Sequence, residues 1–236
     1  PATKVKAQEK LATIMLKIGY PTKWQDYSTL QIKPQQLVSD LQSSAQFEYQ
    51  RNINKLGKPV DRTEWDMTPQ TVNAYYNPEL NEIVFPAAIL QPPFFNVNAD
   101  PAVNYGGIGA VIGHEISHGF DDQGSQYDAF GNLHDWFTSE DHAKFAEKTH
   151  ALVEQYSQYS PIPGYHVNGE LTLGENIADN SGLDIAYKAY KISLEGKPAP
   201  IIDGYSGEQR LYLGWAEVWR AKVREAQQII LLKTDP

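Results

Sequence analysis

Cysteine is absent from the 236 residues, so the chain can form no disulfide and offers no thiolate to a metal. Nowhere do eighteen apolar residues run together, and no segment reads as a membrane span. Basic residues are in deficit: 20 Lys and Arg stand against 29 Asp and Glu, for a net charge of −9. No basic stripe with interleaved aromatics is present, which disfavours nucleic-acid binding. The opening residues, Pro1-Ala2-Thr3-Lys4, lack the apolar stretch of a signal peptide. There is no internal repeat and no low-complexity tract. What remains is ordinary for a globular protein, 41% hydrophobic and 21% charged, and long enough to bury a substantial core.

The informative stretch is V-I-G-H-E-I-S-H-G-F at 111–120. His114 and His118 are four apart, so on a helix both imidazoles can reach one metal ion. Glu115 beside the first can work on a water bound to that ion. The chemistry suggested is zinc-assisted hydrolysis of a peptide bond. The competing reading is an amphipathic helix whose histidines are packed or solvated. Four nearby glycines, Gly106, Gly107, Gly109 and Gly113, each cost about 1 kcal/mol in a helix relative to Ala. Their retention predicts close backbone approach, as beside a strand or a cleft.

A catalytic zinc commonly takes three protein ligands and leaves one position open. Without cysteine, the third must be His, Asp or Glu. The candidate lies in L-T-L-G-E-N-I-A-D-N-S-G-L at 171–183, where Glu175 and Asp179 share one helical face. Glu175 would offer its carboxylate to the metal. Asp179, one turn on, would accept a hydrogen bond from the far nitrogen of a ligand histidine. The alternative is two acidic residues placed where a helix dipole favours them.

Three separated motifs resemble the catalytic domain of the neprilysin family of zinc metallopeptidases, which includes endothelin-converting enzymes and bacterial oligopeptidases. They are N-A-Y-Y-N-P-E-L-N-E-I-V-F-P-A-A-I-L-Q-P-P-F-F at 73–95, G-H-E-I-S-H-G-F-D-D-Q-G at 113–124 with G-N-L-H-D-W-F at 131–137, and G-E-N-I-A-D-N-S-G-L at 174–183. The resemblance implies His114, His118 and Glu175 as ligands of one zinc ion, with Glu115 as general base. It implies Asp179 behind a ligand histidine, at a position also described as a proton donor, and Asp121 behind the other. Asn73 and Ala74 match a pair that holds extended peptide substrate. A preference for cleavage before bulky apolar residues follows from the same likeness. So does a parent protein about three times longer, with a large helical N-terminal domain and a C-terminal tail carrying a histidine and an arginine. His134, His142, His150 and His166 do not supply that histidine. Together with the lack of cysteine, the likeness points to a bacterial source, with secreted or periplasmic placement favoured over cytoplasmic.

The expected fold is α+β and mostly helical, a thermolysin-like zinc domain with a small sheet beside the helix of His114. Residues 1–62 read as the end of the helical N-terminal portion and a connection, and 63–236 as the peptidase portion. Helices are expected over Lys4–Leu16, Pro34–Tyr49 (Leu37, Leu41, Ala45 and Tyr49 on one stripe), Ser139–Tyr159, and from Glu175 to Leu194. A last helix is expected over Gly207–Leu232, turning Leu211, Trp215, Val218, Val223 and Ile230 to the core. Glu82–Phe85 has strand composition, and as an edge strand would pair with substrate backbone. Two rivals to the endopeptidase reading stand. One is a zinc-bearing but inactive module that binds peptides or a partner; the other is a structural helical protein without metal.

Overall fold

A computed structural model describes residues 2–234; Pro1, Asp235 and Pro236, at the outer ends of the two expected domains, lie outside the described residues. The chain up to Gly19 and the chain from Thr68 onward form one compact unit, and Tyr20–Met67 form a second. This division differs from one at residue 62, because the first elements are built into the larger unit. Helix α1 (Ala2–Ala12) ends earlier than apolar spacing predicts, and Met15–Gly19 becomes a strand, β1. The smaller unit holds α2 (Leu37–Ile53), which buries no residue. Its expected apolar stripe of Leu37, Leu41, Ala45 and Tyr49 is exposed, while Phe47 packs on Tyr27 and Arg51 pairs with Glu48 and Glu64.

In the larger unit, β2 (Tyr75–Asn77) and β3 (Glu82–Pro86) complete a three-stranded sheet in the order β1-β3-β2. β1 lies parallel to β3, with Lys17 opposite Val84; β2 lies antiparallel, with Tyr76 opposite Ile83. The segment 82–85 is therefore the central strand and not an edge. Every residue of β3 is buried: Ile83 to Pro86 as an apolar run allows and an alternating edge does not, and Glu82 through its pairing with Lys17. β1 captures the flank that a peptide would need.

The first strand also inverts the usual pattern. Leu16 and Ile18 are exposed while Lys17 points inward, its Nζ 2.7 Å from Glu82 Oε1.

The chain then reaches α3 (Pro101–Asn104), a π-helical turn (Tyr105–Gly109) and α4 (Ala110–His118). A Cβ on Gly106 would strike the Leu211 carbonyl, and one on Gly107 would meet the Phe94 carbonyl at 2.5 Å. The predicted close approach is real, though the neighbours are loop and helix backbones. Ala74, Ile83, Phe85, Ile89, Ile108 and Val111 form a core between sheet and helix, each larger member contributing about 1.5–3 kcal/mol by burial.

Helix α5 (Ser139–Ser157) is capped by Thr138, whose hydroxyl accepts from the Asp141 amide. Helix α6 (Leu173–Ser193) lies along α4, and α7 (Gly207–Val218) starts with a Ser206/Gln209 capping box. Ala102, Tyr190 and Leu211 join α3, α6 and α7 in a second core. The single helix expected to Leu232 is instead two: α7 stops at Val218 and α8 spans Glu225–Thr234. Val223 and Ile230 are exposed. No Gly or Pro lies in 219–224, so the helical spacing reads straight through the break.

Candidate metal centre

His114 and His118 project from one face of α4, with Nε2 atoms 2.9 Å apart. Glu175, in the first turn of α6, places Oε2 at 3.2 Å from His114 Nε2 and Oε1 at 3.5 Å from His118 Nε2. Two glycines make that approach possible. A Cβ on Gly113 would lie 2.6 Å from the Gly182 carbonyl oxygen, and one on Gly182 would strike the His114 amide nitrogen. The two backbones thus touch beside His114, which sets α6 at the distance where Glu175 can reach both rings.

The outer face of each imidazole is tied to a carboxylate. His114 Nδ1 lies 2.8 Å from Asp179 Oδ1, and His118 Nδ1 lies 2.7 Å from Asp121 Oδ2. With Nδ1–H donated outward, each Nε2 turns a lone pair inward. Asp121 is buried, and its second oxygen accepts from the amides of Gln123 (2.9 Å) and Gly124 (2.7 Å).

Two inward-facing imidazole nitrogens and a carboxylate converge on one point, an arrangement that is stable only around positive charge, whether a proton on Nε2 or a cation. Burial opposes a charged His114, yet hydrogen bonds to Asp179 and Glu175 outweigh it and raise the group to about 10. His118 is raised as well, with burial opposing and the Asp121 hydrogen bond prevailing. The hydrogen bond from His114 holds Glu175 below the ordinary carboxylate value. Two imidazole nitrogens, each backed from behind by a carboxylate, together with the Glu175 carboxylate oxygen fit zinc with a position left open. Among the described residues, no other group of three His, Asp or Glu side chains converges in this way.

Glu115 is 5% exposed and does not join the cluster of three. It accepts a hydrogen bond from the Tyr76 amide of β2, and its Oε2 has no protein partner. Burial pushes its carboxyl up to about 7, against the pull of the two imidazoles. A buried carboxyl of that strength can take and return a proton near neutral pH.

Asn73 and Ala74 directly precede β2; Asn73 is exposed and Ala74 is built into the first core. His134, His142, His150 and His166 are all exposed. The roles of Tyr76 and Gly182 were not read from the sequence. Tyr76 acts through its backbone amide, which no residue type announces. Gly182 sits inside a helix, where an isolated glycine marks close packing without naming the partner.

The chain matches the family model of peptidase family M13 over residues 73–236. It is 44% identical over 246 residues to Neprilysin-11 of Caenorhabditis elegans, an alignment covering 99% of this chain and 29% of that protein. Among solved structures it superposes with a TM-score of 0.98 on the zinc metalloprotease Zmp1 of Mycobacterium tuberculosis in complex with an inhibitor. That match has 57% identity and covers 100% of this chain and 37% of the other. PepO of Lactobacillus rhamnosis follows at TM-score 0.87 and 39% identity, covering 100% of this chain and 36% of its own. The chain thus spans about a third of the length of these relatives. The fold is the expected mostly helical, thermolysin-like α+β arrangement, with its small sheet beside α4.

Proposed function

Because this chain belongs to peptidase family M13, we propose that it forms the zinc-holding part of an endopeptidase acting on small peptides. The observation that carries the reading is the convergence of His114, His118 and Glu175, each histidine backed by its own carboxylate. These three residues would hold one zinc ion. Bound there, zinc supplies a Lewis acid for the scissile carbonyl and lowers the pKa of water to about 7.

The chain's own groups do the rest. Glu115 takes the proton from the attacking water on its unpartnered Oε2 and delivers it to the leaving amine. Asp179 and Asp121 keep His114 and His118 in the tautomer that presents Nε2. We assign Asp179 this orienting role rather than proton donation, since its Oδ1 is engaged with His114 Nδ1. Asn73 and Ala74 hold the extended peptide at the β2 side, where Tyr76 already meets Glu115. The preferred bond lies before a bulky apolar residue. On this reading the peptidase portion includes the first nineteen residues together with the chain from 68 onward.

The test uses the full natural chain, purified without chelator, with zinc measured by elemental analysis and cleavage followed on quenched peptides. Glu115→Gln should keep its zinc and lose about 10²–10⁴-fold in turnover. Undiminished turnover in the zinc-loaded variant removes Glu115 from its role. A wild-type chain that takes up no zinc refutes the reading, and zinc uptake without cleavage supports the peptide-binding module instead. Mass spectrometry of the products checks the apolar preference.

A further inference from the structure

Lys10, on the first helix, is 1% exposed. An ammonium removed from water is costly unless its surroundings answer its charge and all its protons. Its two hydrogen bonds go to carbonyl oxygens, Gly124 at 2.6 Å and Tyr127 at 2.7 Å. The rings of Tyr76, Phe120 and Trp136 surround it, with centroids 5.7, 5.7 and 5.9 Å from Nζ. The Asp121 carboxylate attracts it through space.

Both carbonyls belong to the loop that leaves α4 after His118. Gly124 is gripped from two sides, its N–H by Asp121 Oδ1 at 2.7 Å and its carbonyl by Lys10. It is also seated directly on the His118 carbonyl, where a Cβ would have no room. Tyr127, at the far end of the loop, shares its carbonyl between Lys10 and the Trp136 indole N–H at 3.0 Å. A continuous path therefore runs from Lys10 through Gly124 and Asp121 to the His118 ring.

We propose that Lys10 is a positioning residue of the metal centre, holding the 119–127 loop so that Asp121 presents His118 to the ion. The proposal rests on His118 being a zinc ligand. It makes the first helix a working part of a site whose ligands all lie more than a hundred residues later. A purely structural lysine would only fill the aromatic cage, and methionine fills such a cage as well, since a thioether packs favourably against rings.

The experiment measures zinc affinity of the full natural chain by chelator competition, for wild type, Lys10→Met, Asp121→Asn and the double variant. Val84→Ala, a buried truncation in the central strand, controls for lost stability alone. Asp121→Asn should weaken zinc about 10–100-fold and Lys10→Met about tenfold. Because both act along one path, the double variant should bind within about twofold of Asp121→Asn. Val84→Ala should bind like wild type, and the cobalt-substituted Lys10→Met form should show shifted d–d bands. Should Lys10→Met fail to fold, Lys10→Gln, which keeps an amide donor for one carbonyl, carries the same comparison. Wild-type affinity in the Lys10 variant, or effects of Lys10→Met and Asp121→Asn that multiply, overturn the proposal while leaving the zinc site standing. A wild-type chain without zinc affinity overturns the metal reading and this proposal together.

Discussion

Replacing Gly182 with alanine tests whether the α4–α6 contact sets the metal geometry. The new Cβ would lie 2.8 Å from the Ala110 carbonyl oxygen and 2.8 Å from His114 Cα, and closer still to the His114 amide nitrogen. Non-bonded carbons settle near about 3.5–4.0 Å, so the helices must part by about 1 Å. The three nearest atoms are all backbone and cannot swing aside, so overpacking costs about 3 kcal/mol or more, against about 1 kcal/mol regained in helix propensity. In zinc affinity the change is severe. Zinc–ligand distances tolerate only about 0.2 Å, and α6 carries both Glu175 and the partner of His114. Gly182→Ala should therefore unfold about 4–8 °C below wild type when metal-free, and the folded protein should bind zinc at least about tenfold more weakly. Thermal unfolding of the metal-free protein and chelator competition measure the two quantities separately. Gly109→Ala, whose Cβ would find ordinary contacts beginning at 3.5 Å, serves as the comparison. Wild-type zinc affinity in Gly182→Ala would refute the idea that backbone contact between these helices sets the site.

Asp179→Asn removes the carboxylate from His114 Nδ1; zinc affinity should fall about 10–100-fold with little change in unfolding, as read by the same competition assay. Lys17→Met strands the buried Glu82 carboxylate, so denaturant unfolding should show a loss of about 3–5 kcal/mol, and adding Glu82→Met should restore most of it. Burial lowers Lys10 to about 8 from an ordinary 10.5, against the pull of Asp121 and Asp128. Between those values the unfolded chain binds more protons, so this contribution to stability rises with pH, by about 3 kcal/mol across the window. Metal-free wild type should accordingly gain on Lys10→Met between pH 8 and 10.5; a flat or falling difference contradicts the assignment.

The grouping of His114, His118 and Glu175 was legible because its information is local and chemical. His114 and His118 share a helical face by spacing alone, and Glu175 and Asp179 do the same on a second helix. Only the meeting of the two faces had to be supplied, and Gly113 hinted at it. The 82–85 strand misled because composition reports a strand without its position in a sheet. Its place at the centre depends on β1, whose residues pair with it from 67 positions earlier and where a helical reading of Met15 and Leu16 was equally consistent with the residues. The break after Val218 has no sequence marker.

The first nineteen residues were least legible, for a physical reason. Hydrophobic spacing finds a buried face by assuming that charge faces water. Here Val5, Leu11, Leu16 and Ile18 are exposed, while Lys10 and Lys17 point inward. Each lysine is inside because specific groups answer it, loop carbonyls and aromatic rings for Lys10 and the Glu82 carboxylate for Lys17. Those groups lie far away in the chain, so no window of sequence contains both halves of either bargain. Buried charge of this kind adds little to net stability beside an apolar replacement, but it penalises every wrong register. Lys17 opposite Val84 reaches Glu82 Oε1, whereas a one-residue slip of β1 would turn it to the outer face. The same inversion that hides this segment from pattern reading thus specifies where it docks, and through Lys10 it reaches the loop that backs His118.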